Sequence, residues 1–460
     1  MAGMARKSIG IIGAGAAGLT GAKHMQEAGF DVTLYEIGSH VGGLWVYKND
    51  NQRSSAYKTL HINTARDLTA FSDHPFPQDV QPFPNHKDMA AYLRSYAERF
   101  GLLPRVRFNT RVTGVKAAPS YTPETPRWQV ETATGETHEH DTVIVASGHL
   151  TKPLEVPMFR DGFKGRYLHS HDYKDPAEFA GQRICVVGVG NSALDIASDV
   201  CPAADRAVLV ARSRPLIIPK LMFGRPFWDL AKPLYKPWVP AAVRNGLLRF
   251  LVWVVQGDMG KLGFPPPGKK IHATSNANIV NHLHYRRVVV KQGITAVDGQ
   301  RITFADGTSE EFDSLIAATG YLIDLDFIGP ELVAIKDNGL DLYMRIVPPD
   351  WRGLYFLGFF NSDTAANWIS EVQIRWIREF EMARAVLPGH ADMKAEIEAR
   401  RAAVAREFKD TPRHGIEVEH MPYFADLKRT IREAQQRAQS KVRDIGIGAK
   451  TPVPLLAAAE

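Results

Sequence analysis

Cysteine is almost absent from this chain: its 460 residues include two, Cys185 and Cys201, sixteen positions apart. That spacing excludes a CxxC dithiol and a cysteine-rich zinc site, and so low a thiol content fits a reducing compartment, expected to be the cytoplasm. Long apolar runs are missing too. Apart from the glycine-broken N-terminal stretch, the longest, LLRFLVWVV at Leu247 to Val255, has nine residues, whereas a helix needs about 20 to cross a bilayer. No block of one charge sign occurs. The net charge of +6 comes from basic residues interleaved with acidic ones, which speaks against a nucleic-acid partner and suits small phosphate-bearing ligands. Low-complexity tracts are also lacking, and 45% hydrophobic residues over this length can fill two or three cores. Around residues 234–256 Trp, Tyr, Lys and Arg mix with the apolar residues. A helix packed inside an insertion is the expected outcome there, with a weak membrane-surface contact as the alternative.

What the chain does contain is glycine in two ordered settings. Ile9 to Ile12 reads as a buried strand, followed by GAGAAG (Gly13, Gly15, Gly18), a helix to about Ala28, and the strand DVTLYE ending in Glu36, 23 residues after Gly13. These glycines interrupt the apolar run that a signal peptide would need. Gly13 permits a tight turn, Gly15 lets backbone approach a pyrophosphate, Gly18 lets helix and strand pack closely, and Glu36 can accept hydrogen bonds from a ribose. The set predicts an FAD site.

A second unit follows: strand RICVVG, loop GVGNSA with Gly188, Gly190, Asn191 and Ser192, a helix through about Val200, and strand AVLVA. Where the first unit has its acid, this one has Arg212, with Arg214 two residues on. An acid there bonds a free ribose hydroxyl, whereas arginine forks onto a 2′-phosphate, so NADPH is the expected nucleotide. Further on, a strand ending in Ala318, Thr319, Gly320 and Tyr321 resembles TVIVASGH, which ends at Ser147 and Gly148; it reads as the chain returning to the first domain. The expected fold is α/β with two dinucleotide-binding, Rossmann-like domains, the NADPH domain inserted into a discontinuous FAD domain, and a helical C-terminal region. The expected boundaries are 1–173 for the first FAD segment, 174–308 for the NADPH domain, 309–445 for the second FAD segment with its helices, and 446–460 for a flexible tail.

Between the two loops lies FKGRYLHSHDY, in which Phe163, Gly165, His169 and Tyr173 match the pattern FxGxxxHxxx(Y/F). Together with GGLW (Gly42 to Trp45), YKTLHINTARDLTAFSDHPFP with its Asn63, ATGY and EVQIRW, this resembles the flavin-containing monooxygenases over most of the chain. Baeyer–Villiger enzymes are similar but usually end the pattern in tryptophan, so Tyr173 favours the branch that oxygenates nitrogen and sulfur. The resemblance implies an NADPH- and O2-dependent enzyme acting through a C4a-hydroperoxyflavin on a soft nucleophile, an amine or a sulfide. It implies FAD contacts at Gly43, Leu44, Trp45 and Gln373, and catalytic roles for Asn63 and His169. The remaining partner expected is a second copy of the chain. Ketone oxygenation and uncoupled NADPH oxidation yielding hydrogen peroxide are the alternatives. A disulfide reductase would share both loops but needs the cysteine pair that is missing.

Overall fold

The computed structural model describes residues 6–235, 238–267, 273–407 and 415–444. The expected tail at 446–460 lies outside the described residues. Two five-stranded parallel sheets organise the chain. The first draws on β1 (Ser8–Ile12), β2 (Asp31–Tyr35), β3 (Val106–Arg107), β4 (Thr142–Val145) and a much later strand, Leu354–Phe356, in the order Leu354–Phe356, β4, β1, β2, β3. Their side chains alternate between two cores. Ile9, Ile11, Leu34 and Ile144 point into a layer containing Ile369, Ile374 and Trp376. Ile12, Tyr35, Val143 and Phe356 point toward Trp128 and Val130, which belong to a small antiparallel sheet. Burial on both faces is what a parallel sheet requires, and the near-continuous apolar strands reflect it.

The second sheet uses β5 (Arg166–His169), β6 (Arg183–Val187), β7 (Arg206–Ala211), β8 (Val288–Gln292) and β9 (Ser314–Ala317), in the order β8, β7, β6, β9, β5. Reversed, this order repeats the first sheet strand for strand: β9 stands to β6 as β4 stands to β1. The backbone confirms the equivalence. Ala146 N–H donates to Ile12 and Ala318 N–H to Val187, each at 2.9 Å, while Gly13 and Gly188 bond the ends of β2 and β7 at 2.8 and 3.0 Å.

This arrangement corrects two expectations. The boundaries at 173/174 and 308/309 cut through the second sheet, because β5 and β9 pair with each other and β9 pairs with β6. Phe163 to Tyr173 contains an edge strand of the second sheet and the turn that follows it. The ATGY strand likewise belongs to the second sheet, and the return to the first sheet is made by Leu354–Phe356 against β4. ASG and ATG look alike because each ends a strand against the first glycine of a loop. A Cβ on Gly13 would sit 2.6 Å from the Ala146 carbonyl oxygen, and one on Gly188 2.5 Å from that of Ala318.

Helices α1 (Ala16–Glu27) and α2 (Asn191–Val200) follow the two loops, α3 (Ala241–Gln256) lies in an excursion between β7 and β8, and α4 (Ala366–Glu381), α5 (His390–Glu407) and α6 (His420–Asp444) form the C-terminal region. On α6 Phe424, Leu427, Ile431 and Ala434 recur at helical spacing and are buried. Only half of α3 meets the expectation of a packed helix. Val252 joins a small core with Met222 and Phe227, but Val243, Leu247, Phe250, Trp253 and Val254 are exposed. Among the described residues, no helix is long and apolar enough to cross a membrane.

Candidate functional site

A cavity of about 840 Å³ opens where the first glycine loop meets the second domain. Gly13, Gly15, Glu36, Gly43, Leu44, Trp45 and Asn63 border it from the first domain, and Asn191 and Arg214 from the second. Nine sequence-predicted residues therefore share one space.

The first loop has the form of an anion cradle. Helix α1 has Gly15 as its N-cap, with no side-chain cap and no acid in its first turn, leaving its N-terminal N–H groups open to a phosphate. Gly15 itself has ordinary extended geometry, with φ −77°, and a Cβ there would meet only the Gly43 Cα, at 3.6 Å. Neither strain nor packing demands glycine at this position; the space a side chain would fill belongs to the cavity. Gly18 is different. A Cβ there would lie 1.9 Å from the Gly13 carbonyl oxygen, so it serves helix–strand packing and does not border the cavity. Glu36 accepts Ala14 N–H at 2.8 Å through one oxygen, and Gly38 N–H at 2.9 Å and the Asn51 amide at 3.4 Å through the other. Burial raises its pKa while these hydrogen bonds oppose the shift. A carboxylate offers about four acceptor positions, so capacity for a ribose remains.

Four polar atoms of wall residues are buried without a hydrogen-bond partner among the described residues: Asn63 Oδ1, Ser147 Oγ, His149 Nδ1 and Arg214 Nε. Unpaired buried polar groups cost about 1–3 kcal/mol each, and a ligand that bonds them removes that cost. With the Gly15 space, they show that the residues present fit a dinucleotide carrying a polar ring system. His149, also at the wall, is held neutral, its pKa pushed down to about 4 chiefly by burial.

Other predicted residues lie elsewhere. Gln373 is fully buried away from the cavity, accepting Gly358 N–H at 3.1 Å and donating to the Tyr423 hydroxyl at 2.8 Å; one end of its amide holds the backbone after Leu354–Phe356 and the other a side chain of α6, and it does not border the cavity. His169 ends β5, accepts His171 N–H at 3.1 Å and sets its ring edge-on to Tyr321 at 5.2 Å. Burial pushes its pKa down to about 4, and it does not border the cavity. Gly188, Gly190 and Ser192 shape the second loop without lining the cavity. Arg212 is exposed with no ion pair among the described residues; Arg214 reaches the wall and meets Asp258 at 3.3 Å. Sequence reasoning missed Asn51, which braces Glu36, and the hydroxyl of Ser147. Nothing in a single sequence marks either, because their partners come from the fold.

The flavin-binding monooxygenase-like family model matches residues 6–437. Flavin-containing monooxygenase 5 of Rattus norvegicus is 32% identical over 444 residues, covering 92% of this chain and 83% of that one. Dimethylaniline monooxygenase [N-oxide-forming] 2 of Mus musculus is 30% identical with 92% and 82% covered. Among solved structures, S-allyl-L-cysteine S-oxygenase from Allium sativum superposes with a TM-score of 0.69 at 23% identity, covering 95% of this chain and 93% of that one. An oxidized steroid monooxygenase bound to NADP gives 0.67 at 18%, with 95% and 98% covered. These last two likenesses concern the fold. With the whole-length family match, the two repeated loops and a cavity that suits a flavin dinucleotide, the chain belongs to the flavin-binding monooxygenase-like family and is an FAD- and NADPH-dependent monooxygenase.

Proposed function

We propose that the cavity holds FAD along the first loop, receives NADPH from the second, and oxygenates an apolar amine or sulfide. The observation that carries this reading is that both nucleotide domains contribute to one cavity, with Asn63 on one side and Asn191 and Arg214 on the other. The N-terminus of α1 and Gly15 take the FAD pyrophosphate, Glu36 its ribose, and Gly43 to Trp45 flank the flavin. Arg214 and the exposed Arg212 take the 2′-phosphate of NADPH. When bound, FAD supplies the redox chemistry, taking a hydride from NADPH and passing one atom of O2 to the nucleophile while the other leaves as water. Asn63 offers the reacting oxygen a neutral amide that donates a hydrogen bond without gaining or losing a proton. Leu216, Ile218, Phe227, Trp228, Leu248 and Val252 form an apolar wall, which excludes water and selects an apolar substrate over a charged one.

The outer face of α3 fits a membrane surface: its exposed Leu247, Phe250 and Trp253 stand beside Arg249 on a helix with no acidic residue. Co-sedimentation with vesicles rich in anionic phospholipid tests this, and a dimer in sedimentation velocity would assign the face to a second copy instead. Cys185 and Cys201 are buried and unpaired, as suits a cytoplasmic enzyme. For the reaction, the test is product analysis with a dialkyl sulfide, a tertiary amine and a cyclic ketone. Sulfoxide or N-oxide matching NADPH consumption supports the reading. Hydrogen peroxide alone, or lactone in preference to sulfoxide, refutes it.

A further inference from the structure

Asn63 reaches the cavity at the end of a segment, 57–63, that forms no helix and only one isolated bridge, His61 to Asn85. Its path is set from both sides. From the first domain, Ile62 N–H donates to Pro84 and His86 N–H to Leu60, at 3.0 and 2.9 Å. From the second, helix α2 presents Asn191, Asp195 and Asp199, each four residues apart and so on one face. Asn191 borders the cavity and accepts Ser275 N–H at 3.0 Å. Asp195 accepts the Tyr57 hydroxyl through one oxygen and the Asn276 amide through the other, both at 2.6 Å. Asp199 accepts the hydroxyls of Thr59 and Tyr173. Lys220 completes the set by donating to the carbonyl of Ile62, the residue before Asn63, at 3.0 Å.

Tyr57, Thr59, Asp195, Asp199, Lys220 and Asn276 line a second cavity of about 80 Å³, which shares His61 with the first. Enclosing two carboxylates and an ammonium costs desolvation that apolar side chains would avoid. Stability is therefore a poor account of this cluster, whereas its directed hydrogen bonds fix where each backbone atom of the segment lies.

We propose that Lys220 and the Tyr57–Asp195 pair are positioning residues for Asn63, tying the place of its amide to the helix whose N-terminus receives NADPH. This rests on the reading of Asn63 given above. The face that runs from Asn191 to Asp199 joins the second glycine loop to the segment carrying Asn63, so the second domain determines how Asn63 presents itself in the cavity. Nothing in this role needs Lys220 or Tyr57 to touch a ligand.

The test uses the FAD-loaded protein. Lys220→Met keeps an unbranched apolar stem and removes the donor together with the charge that lies 5.6 Å from the centre of the Phe83 ring; Tyr57→Phe removes one hydroxyl; Lys220→Arg restores both donor and charge. Hydrogen exchange of the peptide covering 57–64 is read before turnover, and the fraction of consumed NADPH recovered as hydrogen peroxide afterwards. Losing one such hydrogen bond should speed local exchange about tenfold in Lys220→Met and Tyr57→Phe. Both should raise the peroxide fraction while the Michaelis constant for NADPH stays within about twofold, and Lys220→Arg should behave like the parent. Unchanged exchange in both variants overturns the proposal, as does faster exchange with the parent's peroxide fraction when Asn63→Ala is itself uncoupled. If Asn63→Ala keeps the parent's product yield, it is the role of Asn63 that falls, and the exchange measurement still decides whether these residues hold the segment.

Discussion

Replacing Gly15 by alanine should separate ligand space from packing space in the first glycine loop. At φ −77° alanine is unstrained, and its Cβ would lie at ordinary contact distance, 3.6 Å, from Gly43 Cα. As the residue capping α1, alanine is worse than glycine by about 1 kcal/mol, while it loses less chain entropy on folding by about 0.4–1 kcal/mol. The two effects nearly cancel, so the flavin-free variant should melt within a few degrees of the parent. FAD binding should not survive so well. A methyl group in the pyrophosphate path displaces at least one charge-assisted hydrogen bond from the α1 N-terminus, a loss of about 1.5–3 kcal/mol, or roughly 10- to 100-fold in the dissociation constant. Gly18→Ala is the control. Its Cβ would overlap the Gly13 carbonyl oxygen at 1.9 Å, and relieving the overlap moves the helix at a cost of about 1–3 kcal/mol or more. Flavin fluorescence titration and thermal melts of the deflavinated proteins read the two effects separately. Parent-like FAD affinity in Gly15→Ala would refute the placing of pyrophosphate there, and a melting loss equal to that of Gly18→Ala would refute the division between ligand and packing space.

Asn63→Ala should load FAD normally and still oxidise NADPH, yet lose on the order of 10² in product formation, with the balance appearing as peroxide; parent-like yield would leave Asn63 a structural residue. Arg212→Ala and Arg214→Ala should each raise the Michaelis constant for NADPH about tenfold while sparing NADH, and steady-state kinetics with both nucleotides decide it; equal effects on the two would point to a role away from the 2′-phosphate. Burial lowers His169 to about 4 from 6.5. The unfolded chain thus binds the extra proton between those values, and stability falls as pH drops through that window but is unaffected above it. His169→Asn should therefore flatten the pH dependence of urea unfolding between about pH 6.5 and 4, by up to about 1.4 kcal/mol per pH unit. An unchanged slope would show that the ring is protonated in the folded protein.

Much of this molecule was legible without coordinates, because the constraints involved are local. A strand, a glycine loop and a helix are set within about twenty residues, and the chemistry of Gly13, Gly15, Glu36 and Arg212 follows from positions along that stretch. The resemblance through FKGRYLHSHDY and its companion motifs gave the family by the same route. Local rules could not tell which sheet the ATGY strand joins, since ending a strand in small residues against a glycine loop looks the same in either domain. Nor could they show that Gln373 turns its amide onto Gly358 and Tyr423, or that His169 lies against Tyr321 outside the cavity. Those motifs carry fold information, and which atoms they touch depends on chain segments far away. The Tyr57–Asp195 bond spans 138 positions and the Lys220–Ile62 bond 158. No periodicity or spacing encodes such pairs. The sequence determined the two nucleotide-binding units, their cofactors and their order, whereas only the tertiary structure decided which residues share the cavity, because packing the loops of the two domains together brings side chains into one space that no local pattern relates.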